Sequence, residues 1–433
     1  MQDLKNKIQS KQIKIGVIGL GYVGLPLACE FAKADVEVLG FDISSEKVDL
    51  VNKGISYIQD VKTKDLEKLS TSGKLKATTN FSLLSSVDVI SICVPTPLRK
   101  TKDPDMSYIA ASIESVKTSL RKGHIIILES TTYPGTTDEV ILPKLEETGL
   151  KVGEDFYLAF SPERVDPGNE TYHTHNTPKV LGGVTSDCTS LCEAVYKLAI
   201  DNLVLVSSAR SAELVKIYEN TFRSVNIALA NEMVTICNKL DIDVWEVIDA
   251  AATKPFGFMP FYPGPGLGGH CIPIDPSYLS WKLKSLDYDA RFISLADNVN
   301  SGMPELVVQK ISNALNGNKK SVNGSKILIA GIAYKANIND MRESPAIPII
   351  QKLIALGATV SFHDSLNPMY KDNNDVVLQS VELSPATLKD QDCVVIVTNH
   401  KDMSIETIVS NAALVVDTRN ATRGYSDTNI IKL

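Results

Sequence analysis

The stretch Ile13-Lys14-Ile15-Gly16-Val17-Ile18-Gly19-Leu20-Gly21-Tyr22-Val23-Gly24 decides how the rest of the chain is read. A short apolar run breaks into three spaced glycines, and Pro26–Ala34 then reads as a helix. Val36–Phe41 follows as a second buried strand that ends at Asp42. Gly19 permits a tight turn, Gly21 lets backbone approach a pyrophosphate, and Gly24 lets the helix pack on the strand. The helix N-terminus offers free N–H groups and a favourable dipole to phosphate. Asp42 lies 18 residues after Gly24. Its carboxylate would accept hydrogen bonds from ribose hydroxyls and repel a 2′-phosphate, which favours NAD over NADP.

Working outward, apolar runs at Val87–Val94, His124–Glu129 and Phe156–Ser161 alternate with helical stretches. That alternation implies a parallel sheet with helices on both faces. Ser211–Leu240 is about thirty residues without Pro or Gly, with apolar residues at helical spacing, and as a helix it spans about 45 Å. It could connect two domains and pack against a second copy of itself. Asp243–Ala251 continues helically, and Pro255–Pro276 is a Pro/Gly-rich loop of a length that is commonly functional. After a polar linker, Asn316–Gly324, the pattern restarts. Lys326–Ala330 reads as a strand, Pro345–Leu356 as a helix and Gly357–His363 as a strand ending at Asp364. Asp392–Thr398 and Leu414–Asp417 are two more strands. The expected fold is α/β, with two Rossmann-like doubly wound units joined by a long central helix. The expected divisions are a dinucleotide-binding domain (1–210), a central helical segment with the Pro/Gly loop (211–316) and a second α/β domain (317–433).

Composition narrows the class. The 433 residues carry 44 basic and 51 acidic side chains, a net charge of −7, and 44% are hydrophobic. That apolar share excludes disorder. Outnumbered, scattered lysines and arginines exclude nucleic acid or an anionic membrane as partner, so a bound polyanion should be small. No stretch is apolar for 18 residues, and Met1–Lys14 lacks the apolar core of a signal peptide, so a cytoplasmic location is expected. Seven cysteines, an odd number, argue against a disulfide framework. Cys188 and Cys192, four apart, read as one packed helix face within Thr189–Ala199 and not as metal ligands; no metal is expected.

Several motifs could carry chemistry. Val94-Pro95-Thr96-Pro97 and Ser130-Thr131 follow strands at the edge where such sheets bind ligands, although position alone suits an ordinary turn equally well. Lys216 and Asn220 share a helix face and could hold an oxyanion; a solvated surface pair is the plainer reading. Cys271 follows the glycine-rich run Gly264-Pro265-Gly266-Leu267-Gly268-Gly269, at a probable helix start, with Asp275 one turn on. Such a thiol would be acidic and nucleophilic. His270 is adjacent and points away on a helix, so it is discounted as a base. Tyr278 and Lys282 have the Tyr-x-x-x-Lys spacing of nucleotide-sugar epimerases. They lie about 250 residues after the glycine turn, which suits a packing helix better.

Taken together, these residues resemble the UDP-glucose/GDP-mannose dehydrogenase family over nearly the whole length. The signatures are Gly19–Gly24, Val94–Pro97, Glu129–Thr131, Ser161-Pro162-Glu163, Lys216 with Asn220, Gly268-Gly269-His270-Cys271, Gly331-Ile332-Ala333-Tyr334-Lys335 and Arg342-Glu343-Ser344. Lys254–Gly266 and Ser161–Gly168 look like the branch acting on UDP-N-acetylhexosamines, with UDP-GlcNAc the best match. UDP-GalNAc and UDP-ManNAc remain alternatives, and UDP-glucose is disfavoured. The resemblance implies a four-electron oxidation of a C6 alcohol to the acid with NAD. Cys271 would form a thiohemiacetal and then a thioester, and Lys216 and Asn220 would steady oxyanions. Lys216 and Asp275 would move a proton through water, Glu163 would be the base for thioester hydrolysis, and Thr131 would hold a water. It implies cofactor contacts from Gly19, Gly21, Tyr22, Val23, Gly24, Asp42, Lys47, Thr96, Ser130 and Arg342. Substrate contacts are implied from Arg164, Phe261, Tyr262, Gly268, Tyr334, Lys335 and Arg419, the last two at the UDP end. It also implies a homodimer through the central helices.

Overall fold

The computed structural model describes residues 1–99, 103–166, 169, 171–269, 272–372 and 377–433. The chain divides into two compact units, Met1–Glu219 with Ser277–Tyr288, and Asn220–Pro276 with Asp289–Leu433.

The first unit is built on an eight-stranded sheet. Its strands are β1 (Lys14–Ile18), β2 (Glu37–Phe41), β3 (Leu75–Thr78), β4 (Val89–Ile92), β5 (Ile125–Leu128), β6 (Tyr157–Phe160), β7 (Lys179–Gly183) and β8 (Leu203–Leu205). Their spatial order is β3-β2-β1-β4-β5-β6-β7-β8. β4, β5 and β6 are buried on both faces, which is why they read as unbroken apolar runs. The chain order reverses between β1 and β4, the switch point where sheets of this kind bind ligands beyond the strands' carboxyl ends.

Two strands, β7 and β8, depart from the expected parallel sheet and run against the other six. β7 runs antiparallel to β6, pairing Ala159 with Gly183 and Phe160 with Gly182. The described residues between the two strands contain no helix that could carry the chain across a sheet face. The chain therefore turns straight back, and β7 starts, at Lys179, on the edge where β1 to β6 finish. The helix Ser186–Tyr196 then crosses over to β8, which is parallel to β7. Cys188 and Cys192 are fully buried on that helix, as its apolar face requires. The six described cysteines are all buried, and burial pushes the Cys29 and Cys393 thiols up to about 12. Cys271 and His270 lie outside the described residues.

The second unit has a wholly parallel five-stranded sheet ordered β10-β9-β13-β14-β15 and a separate antiparallel pair. The sheet strands are β9 (Lys326–Ala330), β10 (Thr359–His363), β13 (Cys393–Ile396), β14 (Val415–Asp417) and β15 (Ile430–Lys432). The pair is β11 (Met369–Lys371) and β12 (Val377–Gln379). The long helix is continuous over Ala209–Leu240, two residues earlier than the sequence pattern suggests. Val244–Ala252 follows, its N-terminus capped by the Asp243 carboxylate. A second long helix, Arg291–Gly317, contains Pro304, and the sequence reading passes over it because Gly302 and Pro304 punctuate its pattern.

His124 is fully buried where β5 begins. Its Nε2 donates to the Val87 carbonyl at 3.0 Å and its Nδ1 accepts the Arg121 N–H at 3.3 Å, the arrangement of a neutral ring. Burial, with Arg121 nearby, pulls its pKa down to about 4. The unfolded chain therefore takes up this proton first as pH falls below its ordinary value near 6.5. Stability drops between pH 6.5 and 4 by about 3 kcal/mol from this group. His124→Gln is expected to flatten the loss of thermal stability across that window. An unchanged pH dependence of the melting temperature would contradict the assignment.

Candidate active site

The glycine turn has the geometry of a phosphate cradle. Gly19 has φ +90°, and a Cβ there would lie 2.6 Å from the Cys93 carbonyl oxygen; a Cβ on Gly24 would lie 1.8 Å from the Gly19 oxygen. Both glycines are therefore demanded by the protein's own packing. Gly21 differs, because a Cβ on it would meet open space. The chain itself has no need of glycine there, whereas a pyrophosphate approaching the backbone does. Exposed Tyr22 and half-buried Val23 lead into the helix Gly24–Lys33.

Asp42 is buried at the end of β2. Its Oδ2 accepts the Leu20 N–H and its Oδ1 the Ser44 N–H, both at 2.9 Å, with Lys47 Nζ 3.8 Å away. Each oxygen keeps a lone pair for a ribose hydroxyl. The residues present fit NAD. Thr96 and Ser130 flank the same switch point after β4 and β5. The Thr96 carbonyl accepts the Tyr278 hydroxyl at 2.8 Å, and the Ser130 hydroxyl donates to the Val94 carbonyl at 2.8 Å.

Beyond β5, β6 and β7 lies a buried charged cluster. Glu163 follows β6. Its Oε1 accepts the backbone N–H of Arg164 at 2.8 Å and of Val165 at 2.9 Å, while its buried Oε2 has no hydrogen-bond partner. Lys179 Nζ stands 3.8 Å from that oxygen and 2.7 Å from Glu129 Oε2. The other Glu129 oxygen accepts the Tyr196 hydroxyl, and the ammonium sits 5.3 Å from the Tyr196 ring centre. Burial pushes the Glu129 carboxyl up, and the carboxylates hold the Lys179 ammonium above its ordinary range despite its burial. Of this cluster the sequence motifs point to Glu163, while Lys179 and Tyr196 stand in no motif.

Half-buried Thr131 follows Glu129 by two residues. The next loop is fixed by Glu213, another residue missed. Its buried carboxylate accepts the N–H of Gly135 at 2.6 Å, the N–H of Thr137 at 2.8 Å and the Thr137 hydroxyl at 2.6 Å. Burial nonetheless pushes its pKa up to about 7. Lys216, also buried, is the next residue but two on the same helix. Arg164 makes a bidentate pair with Glu219, at 3.1 and 2.6 Å. In the second unit Asn220 Nδ2 donates to Asp275 Oδ2 at 2.6 Å, which joins two candidate residues 55 positions apart.

The second unit carries the other candidate substrate residues, Arg164 lying in the first. The loop glycines pack so closely that a Cβ on Gly264 would lie 2.6 Å from Arg419 Nη1, and one on Gly268 2.5 Å from the Tyr334 Cβ. Gly264 N–H is held by Asn231, which in turn donates to Asn300. Half-buried Arg419 donates to the Val397 carbonyl at 2.9 Å, and burial pulls its guanidinium down to about 10. Phe261 lies edge-on to Phe222, and Tyr262 stacks on Trp245 and donates to Asp249. Lys335 is half-buried next to Tyr334, whereas Arg342 is exposed and bidentate to Asp340.

Asp364 occupies in this sheet the place Asp42 holds in the first. Six donors already fill it: the Ile332, Ala333, Leu366 and Asn367 N–H groups, Asn367 Nδ2 and His400 Nε2. No acceptor capacity remains for a ribose, so this unit does not repeat the NAD site. The epimerase-like pair is committed elsewhere. Tyr278 is buried with its hydroxyl on Thr96, and Lys282 pairs with Glu139 at 2.6 Å.

Comparison with known proteins agrees with this layout. Residues 13–200, 210–302 and 328–424 match, in turn, the NAD binding, central and UDP binding domains of the UDP-glucose/GDP-mannose dehydrogenase family. The chain is 38% identical over 356 residues to a UDP-N-acetyl-D-glucosamine 6-dehydrogenase of Pseudomonas aeruginosa, covering 82% of this chain and 83% of that one. It is 35% identical over 418 residues to an NDP-N-acetyl-D-galactosaminuronic acid dehydrogenase of Ralstonia nicotianae, covering 94% and 95%. The structure of a UDP-D-ManNAc dehydrogenase from Pyrococcus horikoshii superposes with a TM-score of 0.88 at 33% identity, covering 97% and 98%. Among the described residues no helix is long and apolar enough to cross a membrane.

Two alanine variants separate the roles of the glycines. Gly24→Ala is expected to lower the melting temperature by about 2 °C or more through overpacking. Gly21→Ala should leave the melting temperature in place and weaken NAD binding by about tenfold or more. Unchanged NAD affinity in Gly21→Ala, measured by calorimetric titration, would contradict the cradle.

Proposed function

The chain belongs to the UDP-glucose/GDP-mannose dehydrogenase family, NAD-dependent nucleotide-sugar dehydrogenases with a UDP-binding domain, and on that premise we propose that it oxidises C6 of a UDP-N-acetylhexosamine. UDP-GlcNAc is the favoured substrate, and the product is a uronic acid precursor for surface polysaccharide. The observation that carries the reading is the gathering of Gly264, Gly268, Tyr334 and Arg419 in one packed loop region. The relatives' names divide among GlcNAc, ManNAc and galactosaminuronic acid, sugars that differ by the orientation of single groups. Such differences are worth only a few kcal/mol in a pocket, so an initial-rate panel of the three UDP-sugars and UDP-glucose ranks them.

In the proposed mechanism the Gly19–Gly24 turn and Asp42 would hold NAD, which would supply a hydride acceptor for each of two oxidations at the sugar carbon. Everything else falls to the chain. Lys335 and Arg419 neutralise the UDP end, and Arg164, Phe261, Tyr262, Gly268 and Tyr334 shape the sugar subsite. Lys47 and Arg342 contribute at the cofactor end. Lys216 and Asn220 steady the oxyanion at C6. Asp275, joined to Asn220 by a 2.6 Å hydrogen bond, takes up a proton through water. Cys271 is the nucleophile, and its thioester is hydrolysed by a water that Thr131 holds and Glu163 deprotonates. We place the reaction in the cytoplasm.

The long helix supports a homodimer. Tyr218, Leu229 and Leu240 are 68%, 57% and 62% exposed along it, a large apolar area for a monomer surface. Leu229→Glu is expected to convert a dimer to monomer by light scattering; a wild type that is already monomeric would contradict the proposal. Cys271→Ser is expected to abolish uronate formation while UDP-sugar binding persists. Full turnover in that variant would remove the nucleophile assignment.

A further inference from the structure

Lys179 is a charged side chain to which the mechanism above gives no part, although it is 4% exposed. Burying an ammonium is costly unless it is paired, and this one is held by three elements. Glu129, at the end of β5, bonds it at 2.7 Å; the Tyr196 ring, on the helix Ser186–Tyr196, lies under it; Glu163, after β6, faces it at 3.8 Å. The Pro162 carbonyl completes the shell at 3.5 Å. The antiparallel course of β7 against β6 puts its first residue at this edge. A parallel strand there would have delivered its last residue instead.

The two oxygens of Glu163 are treated unequally. Backbone N–H groups of Arg164 and Val165 lock Oε1 and so fix the plane of the carboxylate. Oε2 is buried and has no hydrogen-bond partner. At 3.8 Å the ammonium is too far to bond that oxygen and near enough to stabilise its charge through a low-dielectric gap. The Tyr196 hydroxyl donates to the far oxygen of Glu129, which keeps Glu129 turned toward Lys179 and prevents the ammonium from closing fully onto Glu163.

We propose that Lys179 is the positioning residue for the hydrolytic step, held by Glu129 and Tyr196 at a distance that leaves Glu163 Oε2 bare and aimed to accept a water proton. This deepens the reading of Glu163 as base and rests on it. In that step the C–S bond of the Cys271 thioester breaks and a C–O bond forms from water. The water's proton passes to Glu163 Oε2, and the sulfur leaves as thiolate. Lys179 exchanges no proton. The two oxidations precede this step and do not use Glu163, so loss of Lys179 should leave them intact and stall the enzyme as the covalent thioester.

The test uses the full-length enzyme, NAD and whichever of UDP-GlcNAc, UDP-ManNAc and UDP-GalNAc the wild type oxidises fastest. Lys179→Met is expected to show a rapid burst of NADH followed by steady turnover slower by about tenfold or more, as when a general base is impaired. Intact-protein mass spectrometry should then find one sugar-acyl adduct per chain. Lys179→Arg, which keeps the charge, should recover turnover to within about threefold and lose the adduct. A Lys179→Met enzyme with burst and turnover reduced together and no adduct would assign Lys179 a structural role and overturn the proposal, as would normal turnover. Glu163→Gln is the control on the premise. If it turns over normally with no adduct, the reading of Glu163 fails irrespective of what Lys179 does.

Discussion

In a parallel sheet every strand delivers its last residue to the same edge, and both units of this chain place their candidate chemistry under that constraint. Gly19 follows β1, Asp42 follows β2, Thr96 lies beyond β4, Glu129 to Thr131 follow β5 and Glu163 follows β6. The side chains come from segments far apart in sequence, yet hydrogen bonding between strands fixes their spacing before any of them is asked to act. In the second unit the ends of β9, β10, β13 and β14 carry the Gly331 turn, Asp364, Thr398 and Arg419 in the same way.

The two units use one plan for different ends. A carboxylate at the close of the second strand tethers the glycine turn in each. Asp42 accepts one N–H from the turn, that of Leu20, and one from Ser44, and keeps acceptor capacity, so it can serve both the turn and a ribose. Asp364 is saturated by six donors, which holds its carboxyl well below the usual carboxylate range and makes it purely structural. His400 completes that saturation, and its other nitrogen accepts the Asn337 N–H at 3.0 Å, which steadies the turn bearing Tyr334 and Lys335. The second unit thereby gives up dinucleotide binding and gains a rigid support for one nucleotide end of a substrate.

Much of this was legible in the sequence because it follows local periodicity. The apolar runs, the glycine turn, Asp42 and the long helix from Ala209 each announce themselves within some thirty residues. The pairing of Asn220 with Asp275 was within reach for a different reason: both stood in motifs already singled out. What escaped depends on direction or on distance. The direction of β7 has no sequence signal, so Lys179 read as one lysine among many and its place between Glu129 and Glu163 could not be foreseen. Glu213 looks like any helical glutamate until the turn at Gly135 comes to meet it, 78 residues away. Burial of charge is a property of the assembled sheet, which is why these misses are all buried ionisable groups.

A four-electron oxidation at one carbon in one enzyme is measured most directly by its stoichiometry. With limiting UDP-N-acetylhexosamine and excess NAD, NADH formed should be about two per sugar consumed, with the uronic acid as sole product. A ratio of about one, with the aldehyde released, would contradict the thioester route and with it the roles given to Glu163 and Lys179.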